Sequence, residues 1–249
     1  MIWAGLIFLL LLVMVLIFNT FREPGLCAGA GGSAPEHVDE HKTALRLSNA
    51  LQLKTVSRPA PEPTDPEPFL AFQNLLAVSF PNIRKTLEKT VVNQYSLLYE
   101  WPGTSPDLKP VAFLAHMDVV PVEPATLRDW RYPPFSGKIA DGFIWGRGAM
   151  DMKSTLMAEM EAIESLISQG FSPERTIYLA LGHDEETGGL EGAARICAHL
   201  EEKGVCLACT LDEGMAVLDP SLAPTGNSLA VIGIGEKGYL NLELTARGK

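Results

Sequence analysis

The feature that most constrains the fold of this chain is a pattern that occurs three times along the sequence. In each case a short apolar run, typical of a buried strand, ends directly at acidic or imidazole side chains. The side chains at the three junctions are His116 with Asp118, then His183 with Glu185 and Glu186, and last Asp212 with Glu213. Predicted helices lie between these runs, so we predict an α/β fold with a helix-covered, largely parallel (mixed) sheet.

The element boundaries follow from the spacing of apolar residues. Apolar runs predict strands over 91–101, 110–115, 175–182, 205–211, 229–235 and 239–246, with a hairpin over 139–147 that turns at Asp141-Gly142. Helical spacing predicts helices over 38–53, 69–78, 150–169 and 190–203. The proline-rich stretch 57–68 predicts an irregular loop.

The three junctions predict a metal site. Ligands of open α/β sheets bind at the carboxyl ends of the strands, where side chains from neighbouring strands meet. Each junction alone could cap a helix or lie in a turn. Carboxylates that lie close together, however, raise each other's pKa, and a bound divalent cation stabilises their charged forms. A donor set without paired thiolates fits zinc, with cobalt or manganese as substitutes, and suits a two-metal centre. The predicted participants are His116, Asp118, Asp151, Glu185, Glu186 and Asp212.

Charge and cysteine content narrow the function classes. The formal net charge of −10 and the lack of a Lys/Arg cluster argue against nucleic-acid binding. Cys206 and Cys209 form a C-x-x-C on a predicted strand, where residues three apart point to opposite faces. We therefore expect buried, inert core cysteines, and a thiol-dependent enzyme is the minor alternative.

The N-terminus carries 17 consecutive apolar residues, from Ile2 to Phe18. That length favours an uncleaved membrane signal anchor over 1–22, with a cleaved signal peptide as the alternative and a buried core helix as a minor one. The small residues that follow predict a linker over 23–36. Either membrane interpretation predicts a protein anchored with its folded part outside the cytoplasm, or secreted.

Five ordered motifs resemble a known family. The chain is similar over about 40–249 to the co-catalytic zinc metallopeptidases, which include carboxypeptidase S, glutamate carboxypeptidase, aminoacylase and succinyl-diaminopimelate desuccinylase. It is most similar to carboxypeptidase S and to the secreted N-acyl-amino-acid synthase/hydrolase. The motifs are His116-Met-Asp118-Val-Val-Pro121, Trp130 with Pro133-Pro134-Phe135-Ser-Gly137, Asp141 to Lys153, Gly182-His-Asp-Glu185-Glu186-Thr-Gly188-Gly189, and Asp212-Glu213-Gly214.

The resemblance implies the zinc-exopeptidase fold, two zinc ions and a role for each matching residue. The implied substrates are peptides or N-acyl amino acids, whose amide bond is cleaved by zinc-activated water. Zinc ligands would be His116 and Asp212 for the first ion, Glu186 for the second and Asp151 for both, while Asp118 orients His116 and Glu185 is the general base.

The resemblance also implies that part of the family's fold is absent. Residues 37–238 would form an incomplete catalytic domain, and residues 239–249 would hold only the first strand of a lid domain. The late His ligand of the second zinc would then be missing, so the chain would bind that zinc poorly and have little or no activity. A homodimer would be expected only with the lid domain. The alternative is a membrane-tethered, non-catalytic module that binds metal or ligand.

Overall fold

The computed structural model describes residues 2–22, 38–59, 62–214, 217–221, 226–230, 232–233, 242 and 244–246. The chain divides into two compact units, Met1–Asp39 and Glu40–Lys249. The predicted linker over 23–36 lies outside the described residues, as does most of the predicted start of a lid domain over 239–249.

The first unit holds one helix, α1 (Ile2–Arg22), with 21 residues. Its apolar side chains from Leu6 to Phe18 are exposed by 44–69%. Among the residues whose side chains are described, no helix combines the length and the apolar character that a membrane span requires.

The second unit is built on a mixed sheet. Its main sheet has five strands in the order β1-β2-β6-β3-β7. The central strand β3 pairs in parallel with β6 and β7, whereas β2 pairs antiparallel with β6 and with β1. The strands are β1 (Glu88–Val92), β2 (Ser96–Trp101), β3 (Val111–His116), β4 (Lys138–Ala140), β5 (Phe143–Trp145), β6 (Ile177–Gly182), β7 (Cys209–Leu211), β8 (Val217–Leu218) and β9 (Leu229–Ala230).

Helices cover both faces of this sheet, which confirms the predicted α/β class. One apolar core joins the sheet to four of the helices, and a smaller core lies under the last helix through Ile196 and Leu200. Apolar burial of this kind is the main stabilising term of the fold. The helices are α2 (Glu40–Gln52), α3 (Pro66–Ser79), α4 (Pro81–Thr86), α5 (Lys153–Ser168) and α6 (Ala193–Glu202).

Two local predictions are wrong. The single strand predicted over 91–101 is a hairpin, because Asn93 and Gln94 adopt positive φ angles of 45° and 72° and turn the chain. The irregular loop predicted over 57–68 ends early, because α3 begins at Pro66. Proline suits the first turn of a helix, and Asp65 caps it by accepting the N–H of Glu67.

The prediction of buried cysteines is also wrong. Cys197, Cys206 and Cys209 are free and exposed. The predicted strand over 205–211 is reduced to β7, whose three residues are all exposed. This short strand pairs only with β3 among the described residues, so it has no second neighbour to cover its outer edge.

Candidate metal centre

The ends of three neighbouring parallel strands form one edge of the sheet. His116 ends β3 and pairs in register with Gly182, the last residue of β6. On the other side of β3, strand β7 ends at Leu211, directly before Asp212 and Glu213. The predicted convergence of the three junctions follows from this parallel register.

The ring of His116 is fixed at this edge with one nitrogen directed inward and the other toward carboxylates. Its side chain is only 3% exposed, and Nδ1 lies 3.0 Å from the backbone oxygen and 3.3 Å from Oδ1 of Asp118. On the opposite side of the ring, Nε2 donates to Oδ1 of Asp151 at 2.9 Å. Acceptors on both sides hold the ring orientation.

Three carboxylates surround His116 Nε2. Besides Asp151, Oε2 of Glu213 lies 3.6 Å away and Oε2 of Glu185 lies 3.8 Å away. Two sets of ligand atoms lie within 4.8 Å of one another: His116 with Asp151 and Glu186, and His116 with Glu185 and Glu213. The side chain of Asp151 is 65% exposed, so the carboxylates face an open crevice beside the buried ring.

Asp118 connects the first junction to the second. Its carboxylate is fully buried and accepts the backbone N–H groups of Glu185 and Glu186, each at 3.1 Å. It also accepts the hydroxyl of Ser57 at 2.6 Å. Asp118 therefore orients the ring of His116 and positions the main chain of both glutamates. The sequence indicated only the first of these contacts.

Asp151 lies on the loop that follows β5 and precedes α5. Gly148 has a φ of +81°, and its carbonyl accepts the N–H of Lys153 at 2.9 Å, which closes the turn. Lys153 is fully buried, and its Nζ donates to the carbonyls of Ala50 and Leu53 near the end of α2. The loop is thus anchored on both sides of Asp151. Nothing in the sequence pattern predicted that a lysine would be buried here.

Asp212 lies nearby but outside both groups of ligand atoms. Its Oδ1 accepts the N–H of Glu213 at 2.8 Å, which binds the carboxylate to its own main chain. Glu213 is the residue that reaches His116 instead. The ligand role of Asp212 stays a prediction.

The pKa values of the site reflect this crowding of charge. Burial lowers the pKa of His116, but the hydrogen bond and charge of Asp118, with Glu213 and Glu185, outweigh it and raise the pKa to about 10. Burial also raises the pKa of Glu185, Glu186 and Glu213, and neighbouring carboxylates add to that rise. The site therefore favours a positive charge at Nε2 and resists further negative charge.

These residues fit a divalent cation. The proton on Nε2 occupies the position among the carboxylate oxygens that a coordinated cation would take. Imidazole nitrogen and carboxylate oxygen are ligands of zinc, cobalt and manganese, and no thiolate belongs to either group of ligand atoms. The exposed cysteines take no part in these two groups.

His183 has a structural role. Its Nδ1 lies 2.6 Å from the Ser96 hydroxyl, and its ring packs edge-on against Tyr95 and Phe69. The side chain is buried between β2 and α3, where burial lowers its pKa. It is therefore held in the neutral form by its apolar surroundings.

Comparison with known proteins gives one family and several relatives. Residues 112–244 match the family model for Peptidase family M20/M25/M40. The probable carboxypeptidase S-like 2 of Dictyostelium discoideum is 39% identical over 245 residues, 94% of this chain and 47% of that protein. The N-fatty-acyl-amino acid synthase/hydrolase PM20D1 of Bos taurus is 39% identical over 209 residues, 82% of this chain and 41% of that protein. The chain thus spans less than half the length of these two relatives.

A solved structure shares the fold. Sso-CP2, an M20 family metallo-carboxypeptidase from Sulfolobus solfataricus, superposes with a TM-score of 0.56 and 21% identity. The match covers 70% of this chain and 38% of that chain. At this identity the likeness establishes the shared fold, and it leaves the substrate open.

Proposed function

Because the chain belongs to peptidase family M20/M25/M40, we propose that the protein is a metal-dependent hydrolase of amide bonds in peptides or N-acyl amino acids. The family predicted from the five motifs is confirmed by the match over residues 112–244. Its curated relatives include carboxypeptidase S-like proteins and an N-fatty-acyl-amino acid synthase/hydrolase. The substrate class is proposed from those two kinds of relative.

The observation that carries the proposal is the group formed by His116, Asp151 and Glu186. Their ligand atoms lie within 4.8 Å of one another at the edge of the sheet, although the residues come from three separate segments. Structural ion pairs also bring such residues together, but here the carboxylates of the group face an open crevice. A buried imidazole beside exposed carboxylates supports a metal site rather than a structural ion pair.

We assign the proposed metal ligands as His116, Asp151, Glu186 and Asp212, with zinc as the metal. A bound zinc pair supplies Lewis-acid polarisation of the scissile carbonyl and lowers the pKa of water. Asp118 holds Nδ1 of His116 as the donor, so Nε2 is the nitrogen free to coordinate. Asp212 is supported by its proximity, since its charge adds to the burial that raises the pKa of Glu185 and Glu213.

Glu185 is the proposed general base. Its carboxylate is half-exposed in the crevice, 3.8 Å from His116 Nε2, and its main chain is held by Asp118. Burial raises its pKa, which brings a carboxylate nearer to the range in which it both takes and returns a proton. Glu185 would accept a proton from water and deliver it to the leaving amine nitrogen.

A hydrolysis assay tests the proposal. The zinc-loaded protein is incubated with N-octanoyl-leucine, and released leucine is measured by mass spectrometry at comparable protein and substrate concentrations, because the resemblance implies slow turnover. We expect release that a chelator abolishes, that zinc restores and that Glu185→Gln lowers by about 100-fold or more. Glu201→Gln, an exposed change on α6, is the matched control and should leave the rate unchanged. Equal background rates in all five samples would refute hydrolysis by this chain.

Three further features stay predictions. They are the N-terminal membrane anchor, the position outside the cytoplasm and the homodimer that would require a lid domain. Cell fractionation and sedimentation of the expressed protein would test them separately from catalysis.

A further inference from the structure

A cavity of about 170 Å³ lies between α3, α4 and the first two strands of the main sheet. None of the described residues that line it belongs to the metal centre. Its apolar wall consists of side chains that are at most 7% exposed, namely Leu76, Phe80, Ile83 and Leu87. An apolar cavity of about 150 Å³ stays dry and accepts a molecule the size of benzene. This space therefore suits an apolar group of about six carbon atoms.

Two cationic side chains, Arg84 of α4 and Lys89 of β1, also line this α3–α4 cavity. Both residues are exposed, and within the ranges that the structure describes neither forms an ion pair. The cavity thus combines a buried apolar wall with positive charge at the surface. An exposed ion pair contributes little by itself, so a ligand of this site needs an apolar part as well as a negative charge.

Tyr99 adds a hydrogen-bond donor beside these cations. It pairs in register with Lys89 across the β1–β2 ladder, so both side chains lie on the same face of the sheet. Tyr99 is 3% exposed, and burial raises its pKa to about 12, so the hydroxyl keeps its proton. In the described part of the chain this hydroxyl has no hydrogen-bond partner. Because a buried phenol usually has one, an acceptor supplied by a ligand would fit this position.

We propose that the α3–α4 cavity binds a small carboxylate with an apolar tail of about six carbon atoms. The tail would lie among the buried apolar side chains, and the carboxylate would pair with Arg84 and Lys89 and accept the hydroxyl of Tyr99. A guanidinium presents parallel N–H donors that match the two oxygens of a carboxylate, and an ammonium adds a point charge. The site goes beyond the proposed hydrolase and does not depend on it, since the two share no residue.

Calorimetric titration with straight-chain fatty acids tests the apolar part of the site. The full chain is kept free of metal, so that no carboxylate binds zinc. From butanoate to hexanoate we expect the affinity to rise about 3- to 4-fold for each added CH₂ group, as full burial of that group requires. The rise should stop between hexanoate and decanoate, because the cavity is then full. Equal affinity of butanoate and hexanoate, or a constant rise up to decanoate, would overturn the assignment to this cavity.

Comparison of hexanoate with hexanamide tests the charged part, because the amide keeps the size of the ligand and loses its charge. We expect hexanoate to bind about 10-fold tighter, and Arg84→Met to remove most of that preference. Lys85→Met is the matched control. It removes the same charge from the next residue of α4, which is exposed and does not line the cavity, so the preference should be unchanged. Equal loss of the preference in both variants would mean that only the net charge of the surface matters, which would overturn the proposal.

A variant that fills the cavity tests its location. Ala77 of α3 lines the cavity, and Ala77→Leu would occupy the space without changing any charge. We expect this variant to bind neither hexanoate nor hexanamide, while Arg84→Met still binds both weakly. Melting curves establish that each variant is folded. Hexanoate binding at wild-type affinity in folded Ala77→Leu, equal binding of acid and amide by the wild type, or no binding of either would overturn the proposal.

Discussion

At the scale of single residues, the geometry of the candidate metal centre depends on the hydrogen bonds of Asp118. One carboxylate contacts the ring of His116, two backbone N–H groups and the hydroxyl of Ser57. Burial alone would raise its pKa, but His116 and Ser57 outweigh that and lower the pKa. The residue is therefore held charged at the centre of the site.

Replacing Asp118 with Asn should weaken zinc binding without removing a proposed ligand. The amide keeps the size of the side chain but loses the charge that fixes Nδ1 as the donor, so we expect a loss of about 10- to 100-fold in affinity. Ser57→Ala removes one contact of the same carboxylate and should cost less. Competition with a zinc-binding dye measures both. Wild-type affinity in Asp118→Asn would contradict the orienting role.

The buried carboxyl group of Glu159 is expected to make the stability of the protein depend on pH. Burial and the charge of Asp212 raise its pKa to about 8, and one of its oxygens is buried without a hydrogen-bond partner. The pKa of Glu159 is higher in the folded state than in the unfolded state. The contribution of this residue to stability is therefore complete below about pH 4.5 and is lost as the pH rises through about 8. Glu159→Gln should therefore be more stable than the wild type at pH 8, by about 1–4 kcal/mol, and equal at pH 4.

Urea unfolding of the metal-free protein at both pH values tests this dependence. Chelation is needed because Asp212, whose charge contributes to the shift, is a proposed metal ligand. Equal stability of wild type and variant at pH 8 would mean that Glu159 is not held protonated by burial.

At the scale of elements, the loop from β5 to α5 depends on one glycine. A Cβ at position 148 would lie 2.5 Å from Cγ1 of Val119, and the residue has a φ of +81°. Gly142, in the β4–β5 turn, has a similar φ of +79° but open space around it. The two positions thus share backbone strain and differ in steric contact.

Gly148→Ala should lower both stability and zinc affinity, whereas Gly142→Ala should lower stability alone. We expect each to lose about 1–2 kcal/mol from backbone strain, and Gly148→Ala to lose about 1–3 kcal/mol more from overpacking. The displaced loop carries Asp151, so only that variant should bind zinc less tightly. Melting curves and zinc titration measure the two effects. Equal zinc affinity in both variants would show that Gly148 does not position Asp151.

The central elements could be predicted from the sequence because their signals are local. An apolar run gives β3, alternation around Asp141-Gly142 gives the β4–β5 hairpin, and an apolar helical stripe gives α5. The turn between β1 and β2 could not be predicted in the same way. Asn93 and Gln94 take up positive φ angles without the glycine that usually indicates such a turn.

The side-chain contacts between elements could not be predicted from the sequence. Ser57 reaches Asp118 only because residues near Thr55 run beside Val119, a contact between segments far apart in the chain. Asp212 and Glu213 are adjacent, and their main-chain geometry decides which one faces His116. Strand patterns predict which tips meet, whereas side-chain direction depends on the assembled backbone.

At the scale of the whole molecule, the main feature is the concentration of negative charge at one edge of the sheet. The parallel register of β6, β3 and β7 gathers carboxylates at one edge of the sheet around a single buried imidazole. The same edge opens into a cavity lined by aromatic rings and Arg147. Cation binding at this edge would couple the fold to the proposed chemistry, since the strand ends and the β5–α5 loop together position the ligands.

The most direct measurement is a crystal structure of the zinc-loaded protein with anomalous diffraction data collected at the zinc absorption edge. We expect an anomalous peak bound by Nε2 of His116 and by carboxylate oxygens of Asp151, with Glu186 at the same site. We further expect that Asp212 rather than Glu213 completes the ligand set of the ion at His116. Zinc density elsewhere on the surface, with none at this cluster, would contradict the central claim.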